Sequence, residues 1–496
     1  MRILFVASEA SPFAKTGGLA DVAGALPQAL AEAGHDVRLI IPLYQSIDQW
    51  RWRLLPLLPE MVVEYGGRRF IGSVMRCSYP CDVEVPVYFV HQDEFFDRPG
   101  LYGENNRDYP DNGERFAFFC VASLWTLKGL DWKPDVIHLN DWQSGLIAPL
   151  IKHHPLMAQM EFYQSIRTLF TIHNLAYQGL FTPDVLFKTG LPGTLFSDHG
   201  AEYYGKVSTL KCGLVFADKI STVSPTYAKE IQTEEYGSGM QGVLQERAAD
   251  LHGILNGIDD TVWNPATDPL LPVPYTAEDI QGKEESRQAL LEAFNMEDDG
   301  KPIIGMVSRL VTAKGFDIVA KALPALMTMG FRVVLLGTGD AEIEDFFRKA
   351  QEKYPDRFSA KITYNEELAH LIQAGSDFFM VPSRYEPSGL TQLYAMRYGT
   401  IPIVRATGGL ADSVVHADDE TIADGSGTGF LFERYHEQAL ALACDEALQR
   451  YRGPEKTWLK LRENAMRQDF SWRGTVSKYE ELYEATKAVV RPTVEE

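Results

Sequence analysis

The stretch from Pro302 to Leu336 restricts the possible folds of this chain more than any other. An apolar run, Pro302–Val307, precedes a segment of helical period, Gly315–Met329, and a second apolar run, Phe331–Leu336, follows. Short apolar runs on either side of an amphipathic segment read as two buried parallel strands joined by a crossover helix. The pattern continues with strands expected at Phe358–Thr363, Phe378–Pro382, Ile401–Val404 and Gly429–Phe432, and helices at Glu366–Gly375 and Leu390–Tyr398. The first half alternates in the same way. Its expected strands are Ile3–Ala7, Asp36–Ile41, Val85–Val90, Val136–Asn140, Arg167–Ile172, Lys219–Val223 and Gly253–Leu255, with a helix at Val22–Ala33. Trp50–Tyr79 alternates as an antiparallel ribbon would. The fold class is α/β: two doubly wound domains, each a parallel sheet flanked by helices.

At 496 residues the chain exceeds a single ordinary core. The expected division is 1–260, 261–471 and a terminal helix in 472–496. The proline-rich, aperiodic stretch Trp263–Tyr275 reads as the linker. Ligands of such sheets bind beyond the carboxyl ends of strands, so the loops that follow strands carry the functional argument.

The first such loop is Lys15-Thr16-Gly17-Gly18, after Ile3–Ala7. Paired glycines before a helix allow close backbone approach and offer unpaired amides to an anion, and Lys15 adds a cation. A tight turn with a solvated lysine would have the same residues. The hexapeptide Thr-Gly-Gly-Leu-Ala-Asp recurs at Thr407–Asp412, again after a strand-like run, which suggests two similar halves facing one cleft. Asp141 follows Val136–Asn140, where it either serves chemistry or caps the next helix. His173 ends Arg167–Ile172, as a ligand-facing or a structural histidine. Arg309 and Lys314, five apart in Ser308–Gly315, form a compact cationic loop suited to a pyrophosphate, or else a solvated basic loop. Glu386 precedes Pro387, which suits the first turn of a helix; Gly389, Leu390 and Thr391 would then present amides to phosphate. A glutamate there would also complement the helix dipole. A polar, aromatic loop at Asp97–Asn112, containing Arg98, Tyr102 and Asn105, could cover a site.

Composition bears on the ligand. Lys and Arg number 47 against 68 Asp and Glu, a net charge of −21. That balance argues against nucleic acid or an anionic membrane and fits a small ligand or a neutral polymer such as a polysaccharide. A phosphate site must therefore be a local basic pocket. Of the five cysteines, Cys77 and Cys81 are close, but Cys120, Cys212 and Cys444 are scattered and complete no zinc pattern. Free thiols in a reducing cytosol are expected. No secretory leader is legible and no apolar run approaches the roughly 20 residues that span a bilayer. The expected location is cytoplasmic.

Gly337-Thr338-Gly339-Asp340 lacks the third glycine of a dinucleotide fingerprint, since residue 342 is glutamate. There is no Walker lysine loop and no Asp-x-Asp triplet. Charge on a departing nucleotide would fall to Arg309, Lys314 and helix ends, a combination that points to group transfer from a nucleotide-activated donor.

Lys15–Val22, Thr171–Gly179 (TIHNLAYQG), Ser308–Gly315 (SRLVTAKG) and Glu386–Met396 (EPSGLTQLYAM) resemble the bacterial glycogen synthases and the related plastid starch synthases. The resemblance runs from Met1 to about Tyr483. It implies the GT-B architecture of two Rossmann-like domains around a cleft, with the terminal helix returning to the first. It also implies transfer of glucose from ADP-glucose to the non-reducing end of an α-1,4-glucan, with retention of configuration and no metal or other cofactor. By position, Lys15 and Gly18 would lie at the ADP, within the loop that includes Thr16 and Gly17. Arg309 and Lys314 would hold the diphosphate and Glu386 the transferred glucose. His173 and Asp141 would line the glucose pocket, Asn256 would face the sugar, Tyr364 would stack near adenine, and Tyr102 matches an aromatic of the first-domain loop. Two departures stand out. Ser388 replaces a cysteine common in relatives. Tyr394 occupies the position, eight after Glu386, where broader families of the fold carry a second glutamate. The alternatives are a UDP-glucose donor or small sugar acceptor in the same fold, and a non-catalytic glucan-binding relative.

Overall fold

The computed structural model describes residues 1–78, 83–104 and 107–491. Cys81 and Asn105, both singled out above, lie outside them. Contacts divide the chain into two units: Met1–Val223 with Ala228–Gly257 and Trp472–Glu496, and Ile258–Ser471 with Ser224–Tyr227.

The first unit holds a nine-stranded sheet among the described residues. From one edge the strands are Leu251–Gly253, Lys219–Thr222, Arg167–Ile172, Val136–Asn140, Arg2–Val6, Asp36–Pro42 and Pro86–His91, all parallel. Arg68–Ser78 and Leu55–Tyr65 then extend it antiparallel. The expected antiparallel ribbon forms and continues the main sheet through pairs such as Ser73 with His91. The last strand lies two residues earlier than expected, because Leu251–Gly253 is what pairs with Ile220–Thr222. Counted along the chain, the parallel strands lie in the order 3-2-1-4-5-6-7. Order reverses between Arg2–Val6 and Val136–Asn140, in register from Ile3 with Val136 to Val6 with Leu139.

The second unit has a six-stranded parallel sheet. Its order is Phe358–Lys361, Arg332–Leu336, Ile303–Val307, Phe378–Val381, Ile401–Arg405 and Phe430–Phe432, the doubly wound order 3-2-1-4-5-6. Order reverses between Ile303–Val307 and Phe378–Val381, where Ile304 faces Phe378. The central parallel strands of both sheets are buried on two faces, which explains why they read as continuous apolar runs, whereas Leu55–Tyr65 and Arg68–Ser78 expose one face. Each buried Ile, Leu or Val side chain contributes about 1.5–3 kcal/mol.

Trp263–Tyr275, expected as a linker, is packed structure of the second unit. Trp263 lies in stacking contact with His370, at 3.8 Å, and with Tyr394, at 3.9 Å. The buried Asp268 carboxylate accepts from His370 Nδ1 at 2.7 Å and from the Tyr398 hydroxyl at 2.6 Å. Prolines break the period here, but aromatic stacking and a buried carboxylate hold the segment in place. Tyr394 is thereby accounted for as a packing residue.

The terminal helix Trp472–Lys487 belongs to the first unit. Its Tyr483 hydroxyl bonds His138 Nδ1 at 2.7 Å, and His138 Nε2 bonds Thr171 Oγ1 at 2.6 Å, beneath the end of the sheet that carries Asn140 and Ile172. Beyond the helix, Arg491 donates twice to Asp218, at 3.0 and 2.6 Å, and Lys152 meets the same carboxylate at 2.9 Å. No helix among the described residues is long and apolar enough to cross a membrane.

Burial alone would raise the Asp218 carboxyl, but Arg491 and Lys152 outweigh it and hold it at about 2. Its unfolded value is about 3.9, so the lowered native value stabilises the fold fully above roughly pH 4, and the contribution disappears as pH falls toward 2. Asp218→Asn leaves two cations facing an uncharged group and is expected to destabilise the protein by about 3 kcal/mol at pH 7. Denaturant unfolding of both proteins at pH 7 and pH 3 should show the difference shrinking at the lower pH. A constant difference would contradict the role of this carboxylate.

Candidate active site

In the first unit the loop after Arg2–Val6 carries Glu9 and Lys15–Gly18. Thr16 donates to Glu9 Oε2 through its amide at 2.6 Å and its hydroxyl at 2.7 Å. Glu9 is buried, and burial pushes its carboxyl up to about 7 against the pull of the Thr16 bonds. Lys15, Thr16, Gly17 and Gly18 are all exposed. The helix begins at Gly18, four residues before the expected Val22, because extended Gly17 serves as its N-cap. The ladder opens with the Ala20 amide donating to the Gly17 carbonyl at 3.2 Å, so the amides of Gly18 and Leu19 precede it. Lys15 Nζ lies 2.6 Å from Asp21 Oδ1 across the same turn.

The neighbouring loop, after Val136–Asn140, starts with Asp141 at φ +54°, a left-handed conformation unusual for a residue with a side chain. Asp141 does not cap the following turn; Asn140 occupies that position, without a capping bond. Instead Asp141 Oδ1 accepts from the His173 amide at 2.7 Å. Burial raises the Asp141 carboxyl to about 7, with the amides of His173 and Asn174 pulling the other way. Backbone strain of about 1–3 kcal/mol is thus held by a bond between loops of adjacent strands.

His173 Nε2 lies 2.8 Å from Asn140 Oδ1. The Asn140 amide nitrogen is committed to the Val6 carbonyl at 3.0 Å, so its oxygen is the acceptor and Nε2 carries the proton. Burial lowers His173 to about 3, which makes the ring neutral with Nδ1 as its acceptor. Tyr102 bonds Ser8 Oγ through its hydroxyl at 2.7 Å. The expected covering loop is closed across its base by Arg98 to Asp111, at 2.7 and 2.6 Å, and the Tyr102–Ser8 bond ties it to the loop after Arg2–Val6. Asn256, at the end of the first unit, is buried, and its Oδ1 has no hydrogen-bond partner among the described residues.

In the second unit the loops after the two strands at the reversal point meet. Lys314 Nζ lies 2.6 Å from Glu386 Oε2, and Ser383 Oγ donates to that same oxygen at 2.9 Å. Glu386 is buried, while Lys314 is partly exposed. Arg309 is exposed, and its guanidinium has no hydrogen-bond partner among the described residues. The sequence pairs Arg309 with Lys314; the structure pairs Lys314 with Glu386. Tyr364, after Phe358–Lys361, is 80% exposed, leaving its ring available for stacking.

The helix expected to start near Pro387 spans Thr391–Arg397. Pro387 therefore does not occupy its first turn, and Glu386 is too far from the helix start to act through its dipole. Gly389, at φ +68°, turns the chain into Leu390 and Thr391, where the first helical amides stand. The delay comes from the second glycine pair. The Gly409 amide donates to the Glu386 carbonyl at 3.0 Å. A Cβ on Gly408 would sit 2.0 Å from that carbonyl oxygen, and one on Gly409 1.9 Å from the Ser388 oxygen. A Cβ on Gly17 would meet nothing nearer than Glu9 Oε1 at 3.7 Å. The repeated hexapeptide thus does two different jobs, open in the first unit and closed against residues 386–388 in the second.

Of the site residues chosen from sequence, Lys15–Gly18 and Asp141 follow the strands at the first unit's strand-order reversal, and Arg309, Lys314, Glu386 and Gly389–Thr391 those at the second unit's; His173, Asn256 and Tyr364 follow other strands, the last two at sheet edges. Glu9, Asn140 and Ser383 were not singled out, although Glu9 and Ser383 lie in loops that follow strands and Asn140 ends one.

Residues 2–246 match the family model of the starch synthase catalytic domain, and residues 288–492 that of glycosyl transferases group 1. The glycogen synthase of Syntrophotalea carbinolica is 46% identical over 97% of this chain and 98% of its own length. That of Anaeromyxobacter dehalogenans is 47% identical over 97% of this chain and 98% of its own. Among solved structures, the catalytic domain of starch synthase IV from Arabidopsis thaliana, bound to ADP and acarbose, superposes with a TM-score of 0.90 at 36% identity, covering 98% of this chain and 99% of that one. Sucrose-phosphate synthase from Thermosynechococcus elongatus, at 18% identity and a TM-score of 0.57, shares the fold.

The contrast between the glycine pairs is measurable. Gly408→Ala and Gly409→Ala should each destabilise the protein by more than about 3 kcal/mol or prevent folding, whereas Gly17→Ala should stay within about 1 kcal/mol. Equal effects in thermal unfolding would show that the loops are packed alike.

Proposed function

The chain belongs to the family of bacterial glycogen synthases and plant starch synthases, and from that premise we propose how its residues divide one reaction. A glucosyl group passes from ADP-glucose to the non-reducing end of an α-1,4-glucan, with retention of configuration. The observation that carries this reading is the Lys314–Glu386 pair at the second unit's reversal point, beside a loop whose Arg309 guanidinium has no hydrogen-bond partner among the described residues. Arg309 and Lys314 take the diphosphate, the amides at Leu390 and Thr391 meet its remaining charge, and Tyr364 stacks on adenine. Charge that develops on departing ADP is met by these groups, with no metal in the scheme.

Glu386, with one oxygen held by Lys314 and Ser383, has its other oxygen for hydroxyls of the transferred glucose. From the first unit come Lys15 with Gly17 and Gly18 for the nucleotide, and Asp141, His173, Asn256 and Tyr102 for the sugars. A neutral His173 accepts from a hydroxyl through Nδ1 and adds no charge to the site. The acceptor hydroxyl attacks the anomeric carbon on the face from which ADP leaves. The carbon–oxygen bond to phosphate breaks, a new one to the acceptor oxygen forms, and the hydroxyl proton passes to the departing phosphate. Tyr394 is packed under Trp263, so no second glutamate assists at that position. The reaction is assigned to the cytoplasm, where free thiols such as Cys120 and Cys212 persist.

Release of ADP and growth of a glucan primer should occur with ADP-glucose and fall well below that rate with UDP-glucose. Lys314→Ala and Glu386→Gln should each cut turnover by about a hundredfold or more while circular dichroism stays native. Glucan binding without ADP release would point instead to a binding protein, and near-normal turnover in either variant would remove that residue from the mechanism.

A further inference from the structure

Glu9 has no part in the scheme above, yet it is buried at the first unit's reversal point, in the loop between the first strand and the glycine pair. Its surroundings hold it firmly. The adjacent Ser8 is fixed twice: its hydroxyl bonds the Tyr102 hydroxyl at 2.7 Å, and its carbonyl accepts from the buried Tyr44 hydroxyl at 2.8 Å. From that anchored backbone Glu9 extends one oxygen to Thr16, taking both the amide and the hydroxyl at 2.6 and 2.7 Å. Its other oxygen lies on the Gly17 side. Thr16 itself is exposed, as are Lys15, Gly17 and Gly18. A short, exposed, glycine-containing loop would sample many conformations on its own; two bonds to a buried carboxyl restrict it to one.

We propose that Glu9 is the positioning residue of the donor loop, clamping Thr16 so that Lys15 and the amides after Gly17 present one fixed face to the phosphates of a nucleoside diphosphate. The inference rests on the ADP-glucose reading and adds to it a residue that does not touch the ligand. Preorganisation lowers the ordering cost of binding, so the clamp acts on nucleotide affinity more than on the chemical step. The acceptor geometry carries the effect. Glutamine keeps an oxygen that both Thr16 donors can reach, and alanine does not. Around the carboxyl stand Asp21 and Lys15 of the same loop and helix, Asp141 from the neighbouring loop, and the Tyr44 and Tyr102 phenols.

The test measures ADP affinity by titration calorimetry on the full chain, with initial rates on ADP-glucose alongside. Glu9→Ala should weaken ADP binding about tenfold or more and raise KM for the donor by a similar factor, with kcat within about threefold of the parent. Glu9→Gln should recover most of the affinity. Thr16→Val should weaken binding about threefold alone and cause no further loss when combined with Glu9→Ala, because both act through one clamp. ADP affinity within twofold of the parent in Glu9→Ala overturns the proposal, as does full additivity of the two substitutions. If Glu9→Ala does not fold, an unchanged affinity in Thr16→Val overturns it equally. A parent protein that binds no ADP would instead defeat the donor assignment, so the two failures are distinguishable.

Discussion

The central functional side chains of each unit depend on one constraint of parallel sheets. Where strand order reverses, the crossovers of two adjacent strands leave toward opposite faces, and the loops at their carboxyl ends part to leave a crevice. Arg2–Val6 beside Val136–Asn140 creates that arrangement in the first unit, and Ile303–Val307 beside Phe378–Val381 creates it in the second. Both pairs are buried on two faces, so the apolar strands fix where the polar loops begin. Glu9 and Asp141 belong to one such pair of loops, Lys314 and Glu386 to the other.

In each unit, loops of adjacent strands are joined by polar contacts that substitute for solvent at the rim. Asp141 pulls in the His173 amide, and His173 in turn rests on Asn140. Glu386 holds Lys314 and Ser383 on one oxygen. These contacts bridge elements far apart in sequence and set side chains with little freedom of their own. The left-handed Asp141 is the cost of that arrangement. A bond from a buried carboxyl to an amide contributes on the order of 1.5–3 kcal/mol, comparable with the strain it opposes. Directly below, the His138 hydrogen bonds tie the terminal helix to the same strands, so residues from the far end of the chain support the first unit's site.

Much of this was legible in the chain itself. Val136–Asn140, Arg167–Ile172 and Glu366–Gly375 occupy the expected residues, because a run of apolar side chains has the period of its element wherever it lies. Lys15, Asp141, His173, Arg309, Lys314 and Glu386 stood out for a related reason: each is a polar group in the loop that follows an apolar strand. Pairing was less accessible. Nothing local distinguishes Arg309 from Lys314 as the partner of Glu386, which is more than 70 residues away.

Sequence by itself determined where strands end and which polar residues follow them, since periodicity and turn chemistry act over a few neighbours. Tertiary structure alone decided what those residues meet. One hexapeptide is an open helix start at Gly17–Gly18 and a closed backbone contact at Gly408–Gly409, because only in the second unit does a distant carbonyl approach to where a Cβ would stand. The same distinction turned Trp263–Tyr275 from an apparent linker into packed structure, since the imidazole and aromatic partners of its Trp263 and Asp268 arrive from a hundred residues or more further along.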